Sequence, residues 1–208
     1  MKRFFTLHAL RITPYALLFL FLISCGKTYY SNYYILDYTP SIPDSIKIYP
    51  QLPYYVEVSD FDISLTYDRS AIVIRNSLHQ LRYSRYDLWA LRPQDAIQDL
   101  LLKHLKEANL FADVKKEFLD VRPDFTILGH ICNIELYHSE GINRADIEME
   151  LSLQDNQNEN IVVSYHFVRY ERLDTQNMAF FAKKISDILK EENNKFILKI
   201  IKYFEEQR

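Results

Sequence analysis

RYDLWALRPQDAIQDLLLKHLKEANLF, residues 85–111, holds the transition that decides the fold. Pro93 suits the first position of a helix, where its missing N–H costs nothing, and Asp95 places an acid in the first turn. From there Ile97, Leu100, Leu101, His104, Leu105 and Ala108 recur at i, i+3, i+4 and i+7, one face of a helix. Asn109 tolerates the left-handed conformation that closes a helix, and Leu110 and Phe111 anchor the exit. Trp89, the one tryptophan, stands where strand gives way to this helix.

The chain on either side alternates instead of turning. Ile147, Met149, Leu151 and Leu153 interleave with Glu148, Glu150, Ser152 and Gln154, a strand with one dry face and one wet face. Residues 124–138, 142–155 and 161–171 read as three such strands, separated by Ser139-Glu140-Gly141 and Asp155-Asn156-Gln157-Asn158. They predict an antiparallel meander. Upstream, residues 33–38 (YYILDY) and 54–63 (YYVEVSDFDI) read as strands. Residues 72–76 and 79–84 form a strand pair around a turn. Between the first two strands, Pro40, Pro43, Pro50 and Pro53 predict an extended connector without helix. At the end of the chain, Met178, Phe181, Ile185, Ile188 and Leu189 make one helical stripe. Phe196, Ile197, Ile200, Ile201 and Phe204 make a second, and the intervening Glu191-Glu192-Asn193-Asn194 is a place for the helix to bend or break. The expected fold class is α/β of the α+β kind: a mixed, largely antiparallel sheet with a meander, packed against one central and one C-terminal helix.

The first residues follow other rules. Lys2, Arg3 and Arg11 are basic, no acid precedes Cys25, and residues 16–23 read ALLFLFLI. A positive start, an apolar centre and a small residue before the cut describe a secretory signal. The apolar run is short of the roughly 20 residues that span a bilayer. Leu22-Ile23-Ser24-Cys25 resembles a bacterial lipobox, in which Cys25 carries diacylglycerol and becomes the new amino terminus. Each buried methylene of such an anchor contributes about 0.8 kcal/mol. Gly26 rather than Asp follows the cysteine, which in enteric-type sorting implies the outer membrane, facing the periplasm. The expected organisation is a signal peptide over 1–24, a lipidated tether over 25–32 and one domain over 33–208. Tyr29 and Tyr30 lie close to the anchor, and tyrosine suits a membrane interface.

Composition narrows the function. The chain is 48% hydrophobic and 25% charged, which a folded core requires, and its formal net charge is -3. Loss of the signal takes three basic residues and leaves the mature chain more acidic, a poor match for nucleic acid. With Cys25 acylated, Cys132 has no disulfide partner and reads as a core residue of its strand. No GxSxG, HExxH, GxxxxGK[ST] or paired CxxC occurs, so no catalytic residue and no cofactor beyond the acyl chains on Cys25 is expected. His130 and Cys132 share a strand, but two ligands do not make a structural zinc site. Trp89 reads first as a packing anchor. Tyr83, Arg85 and Tyr86 flank it, and with it form the candidate partner-binding set.

The order of these features resembles the ABC-type transport auxiliary lipoprotein family, the lipoproteins that accompany mammalian-cell-entry (MCE) type lipid transporters. The resemblance rests on the lipobox followed by YYILDY, on YVEVSDFDI, on IVIRNSLHQLRYSRYDLWALRP, and on a meander followed by a terminal helix. Ile74-Arg75, Leu81, Tyr83, Tyr86, Trp89 and Pro93 fall at family-like spacings; Leu91-Arg92 and Asn109 depart from the pattern. The resemblance implies a non-enzymatic accessory at the outer membrane. It would bind an MCE-domain protein and, through it, an ABC permease and ATPase, in the transport of phospholipid or another hydrophobic molecule. A regulator of a cell-wall or outer-membrane assembly complex would share the same anchor and fold class.

Overall fold

A computed structural model describes residues 29–207. The signal peptide, Cys25 and Gly26 lie outside the described residues. Residues 31–207 form one compact unit. Its elements run β1 (Asn32–Tyr34), α1 (Asp44–Lys47), β2 (Leu52–Val58), β3 (Asp62–Ile63), β4 (Ala71–Ser77), β5 (Gln80–Trp89), α2 (Pro93–Ala108), β6 (Phe111–Lys115), β7 (Phe125–Ser139), β8 (Ile142–Asp155), β9 (Asn160–Leu173) and α3 (Met178–Glu206).

All nine strands join one mixed sheet, organised by β7. One edge of β7 pairs antiparallel with β8 along its length, and β8 pairs antiparallel with β9. The other edge is shared by three parallel partners in turn: β2 at Phe125–Ile127, β3 at His130–Ile131 and β4 at Leu136–Tyr137. β6 extends the sheet beyond β2, while β5 and then β1 extend it beyond β4. The meander is therefore as the alternation predicts, and the long ladders are antiparallel. Ile147, Met149, Leu151 and Leu153 are all buried.

Helix α2 starts at Pro93 and ends at Asn109, whose φ of 49° and ψ of 34° are left-handed. Its predicted stripe is buried throughout. Burial of each Leu or Ile is worth about 1.5–3 kcal/mol. α3 packs along β8 and β9 and touches α2. Near its far end Phe204 meets Tyr54, Phe111 and Phe125, tying the helix to β2, β6 and β7.

Five local expectations need correction. YYILDY is a strand only to Tyr34: the chain then leaves the sheet, and Asp37 donates its N–H to Ser186 Oγ on α3 at 3.2 Å. The proline-rich connector contains α1, because Pro43 precedes the helix without costing it a bond and Ile46 is buried. Residues 54–63 are two strands, not one. Between them Gln98 Nε2 of α2 donates to Val58 O at 3.0 Å and Ser59 O at 2.9 Å, satisfying the kinked backbone, while Phe61 turns into the core. Cys132 is half-buried at a bulge in β7 rather than in the core. α3 neither bends out of helix nor breaks at Glu191–Asn194. Glu192 and Asn193 point inward, where Glu192 Oε1 accepts from Lys195 Nζ at 2.7 Å and from Arg169 Nη1, and Oε2 accepts from the Tyr165 hydroxyl.

Candidate functional site

The candidate residues come from β5, at the side of the sheet away from β9. β5 pairs Tyr83 with Val73 and Leu88 with Ala71, so five residues of β5 span the space of two in β4. The slack forms a bulge. Within it Ser84 Oγ donates to Asp87 Oδ2 at 2.8 Å and accepts from the Asp87 N–H at 3.1 Å. Such bulges re-aim side chains. β1 covers only Asp87–Trp89 of the outer edge of β5. Tyr83 and Arg85 are exposed, and Tyr86 is half-buried.

Trp89 is different. It is 3% exposed, its ring centroid lies 5.7 Å from that of Phe181, and its backbone N–H donates to Ser70 O at 2.7 Å. It joins β5, the chain before β4 and α3, and offers no surface to a partner. The other three candidates do. Arg69 lies 3.8 Å above the Tyr83 ring and fixes it, and the Arg85 guanidinium sits 5.6 Å from the Tyr86 ring. Arg69 is 14 residues from Tyr83, and nothing in the linear sequence announces the pair. Next to them, Tyr34, Ile74, Arg82, Asp87 and residues 176–179 line an open cleft of about 500 Å³. The Tyr34 hydroxyl donates to Asp87 Oδ1 at 3.2 Å. Burial and the neighbouring Asp87 raise the Tyr34 pKa, so the phenol stays a donor.

Two buried carboxylates mark structural networks. Glu135 accepts from the Tyr67 hydroxyl at 2.6 Å and from Arg75 Nε, and Arg75 Nη2 also reaches the Tyr67 hydroxyl at 3.2 Å. Burial and Glu135 push the Tyr67 phenol up. At Glu192 burial pulls the other way, but Lys195, Tyr165 and Arg169 together hold the carboxyl below the usual range. Both carboxylates have their oxygens filled by protein donors, which is the signature of a braced fold. His130 and Cys132 gather no third ligand: among the described residues no cluster of three His, Cys, Asp or Glu is placed to hold a metal. Burial, with Glu148 and Glu150 nearby, raises the Cys132 pKa and keeps the thiol protonated.

Solved structures resemble this fold. Protein XCC0632 from Xanthomonas campestris, described as DUF330, matches with a TM-score of 0.73 at 16% identity, over 86% of this chain and 100% of its own. A second crystal structure, titled only as an uncharacterized protein, matches with a TM-score of 0.64 at 13% identity, over 82% of this chain and 99% of its own. The hypothetical protein CT253 from Chlamydia trachomatis matches with a TM-score of 0.51 at 6% identity, over 73% of this chain and 98% of its own. At such identities the likeness is one of fold. No curated protein matches the chain. The sequence model of the ABC-type transport auxiliary lipoprotein component matches residues 34–195, from the end of β1 to beyond the middle of α3. It takes in the β5 bulge, Trp89 and the Pro93 helix start that carried the resemblance. The chain therefore belongs to the ABC-type transport auxiliary lipoprotein family.

Proposed function

We propose that the chain is a lipid-anchored accessory of an MCE-type ABC transport system, held by diacylglycerol and an N-acyl chain on Cys25 at the periplasmic face of the outer membrane. It binds the MCE-domain partner there and helps complete a path for phospholipid or another hydrophobic molecule, with the permease and ATPase engaged through that partner. The family match over residues 34–195 is the observation that carries this reading. The surface supports it. Among the described residues β1 pairs with β5 only from Asp87 to Trp89, and Tyr83, Arg85 and Tyr86 stand on the stretch before it. Tyr and Arg are the residues that most often concentrate binding energy at interfaces. The adjoining cleft is open and polar, which suits contact with a protein surface better than burial of an acyl chain.

The test is affinity purification of the tagged, anchored protein from gently solubilised envelopes, with mass spectrometry of what comes with it. Recovery of an MCE-domain protein is expected. Recovery of cell-wall or outer-membrane assembly enzymes, with no transporter subunit, would reassign the chain as a regulator of those complexes.

A further inference from the structure

One end of the sheet collects three chain reversals. Ser77 pairs with Gln80 across the Leu78-His79 loop, and Ser139 pairs with Ile142 across Glu140-Gly141. The two hairpins are neighbours, since Arg75 lies opposite Tyr137. Asn143 pairs with Leu173, so the passage from β9 to α3 lies at the same end. β1 runs parallel to β5 and therefore opposite to β4. Traced back from Asn32, the chain thus heads toward the hairpin tips. The other end of the sheet carries residues 116–124 and the turn at 156–159, where Asp124 O accepts from the Asn156 N–H. From Ile127 to Tyr137 along β7 the two ends are about 30 Å apart, at about 3.3 Å per residue.

The Leu78-His79 loop breaks a local rule. Two-residue hairpin loops favour Asn, Asp and Gly. The neighbouring Glu140-Gly141 obeys, with φ of 52° and 76°. Leu78 instead holds a large apolar side chain, 79% exposed, at the tip of the hairpin, and Ile142 beside the next loop is 46% exposed. Local violations without a packing gain are expected at functional positions.

We propose that this end of the domain rests on the lipid surface, with Leu78 entering the headgroup–acyl boundary and Ile142 beside it. The proposal deepens the anchored reading and rests on acylation of Cys25. Reach decides the orientation. Asn32 is seven residue steps from Cys25, and an extended chain of that length covers at most about 25 Å. Leu119, 85% exposed, is a comparable apolar side chain at the other end. Asn32 pairs with Asp87, beside the Leu88–Ala71 pair, about 20 Å from the Ser77 tip at about 3.3 Å per residue, a distance the tether covers along its own direction. To bring Leu119 to the same membrane the tether would have to reverse and run about 30 Å the other way, from the level of Ile134 to that of Phe125, which that reach does not allow. Charge does not choose between the ends: Arg82 and Arg172 near the tips are offset by Glu140 and Asp174.

The test uses the full-length, processed protein purified from membranes and reconstituted in phosphatidylethanolamine–phosphatidylglycerol vesicles. Cys132→Ser removes the free thiol of the domain, and Leu78→Cys or Leu119→Cys carries an environment-sensitive fluorophore. A label within about 5–10 Å of the headgroup boundary is expected to lose about half its intensity to headgroup-quencher lipids. The Leu78→Cys label should do so and the Leu119→Cys label should not. Quenching at Leu119→Cys alone, or at neither position, overturns the orientation. The mass of the same preparation reports the acyl chains independently. If Cys25 carries none, the anchored reading and this proposal fall together; if it carries them, only the orientation is at stake.

Discussion

At the scale of single residues, Trp89 and Tyr83 separate the two kinds of work done on β5. Trp89 is buried against Phe181, so Trp89→Ala should cost about 3–5 kcal/mol, seen as a lower urea midpoint. Tyr83 is exposed, so Tyr83→Ala together with Arg85→Glu should shift the midpoint little while lowering recovery of the partner about tenfold. A loss of stability in that double variant equal to that of Trp89→Ala would place the pair in the core's support rather than at an interface. His104 is a further readable residue. It is fully buried, with Nδ1 3.0 Å from the Tyr38 hydroxyl and Nε2 2.9 Å from Asn194 Oδ1. Since Asn194 Nδ2 donates to Ser41 O, its Oδ1 accepts, and the neutral ring carries its proton on Nε2. Burial, with repulsion from Lys190, lowers the His104 pKa despite the bond to Asn194. The sign follows from linkage. Above the ordinary value of 6.5 both folded and unfolded chains hold the neutral imidazole, and the contribution to stability is complete. Below it the unfolded chain takes up the proton first, so stability falls with pH until the folded ring is protonated too. Urea midpoints measured on both sides of that value should show this slope, and His104→Gln should flatten it.

At the scale of elements, two strands and a helix depend on contacts that a variant can remove. A methyl group on Gly129 of β7 would stand 2.7 Å from three ring carbons of Phe61. Gly129→Ala should therefore cost about 1–3 kcal/mol by forcing the ring aside. Phe61→Leu in the same chain should recover part of that loss; an additive double variant would mean that the ring is not what the methyl meets. In α3, the carboxylate of Glu192 takes three donors at a nearly fully buried position. Glu192→Ala leaves Arg169 and Tyr165 short of a partner and should destabilise by about 3–5 kcal/mol. Circular dichroism should show the helix retained below the transition, because Glu192 braces α3 against β9 and does not create its helical propensity.

For the molecule as a whole, the prediction concerns attachment. Cys25→Ala should move the protein from the membrane pellet to the soluble fraction, whereas the parent chain should stay with the membrane through a high-salt wash. Acyl chains hold by burial, and salt screens only charge. A variant that still pellets, resists salt and carries no lipid would show that the domain has another means of attachment. The long ladders of β7, β8 and β9 join strands adjacent in sequence, whereas β2, β3 and β4 find their partner in the later β7, and β1 joins β5 across more than 50 residues. β1, the first strand after the proposed anchor, thus has its partner much later in the chain.

The amino-acid sequence by itself determined the α2 helix, the meander, the α+β class and the family pattern around Trp89 and Pro93. Each is carried by a period or a cap within one short stretch, and periodicity is local information. Only the tertiary structure decided where the strands divide and which polar residues go inside. α1 forms because Ile46 has a core to enter. Residues 52–63 split because β7 needs two separate partners and Gln98 satisfies the kink. Glu192 and Asn193 read as an interruption until Arg169, Tyr165, Lys195 and the Tyr38 hydroxyl are seen to meet them. The candidate edge divided in the same way: the sequence put Tyr83, Arg85, Tyr86 and Trp89 together, and packing against Phe181 took Trp89 inside. A buried polar group is stable only beside its partner, and those partners lie far away in the chain, so no window of sequence contains the answer.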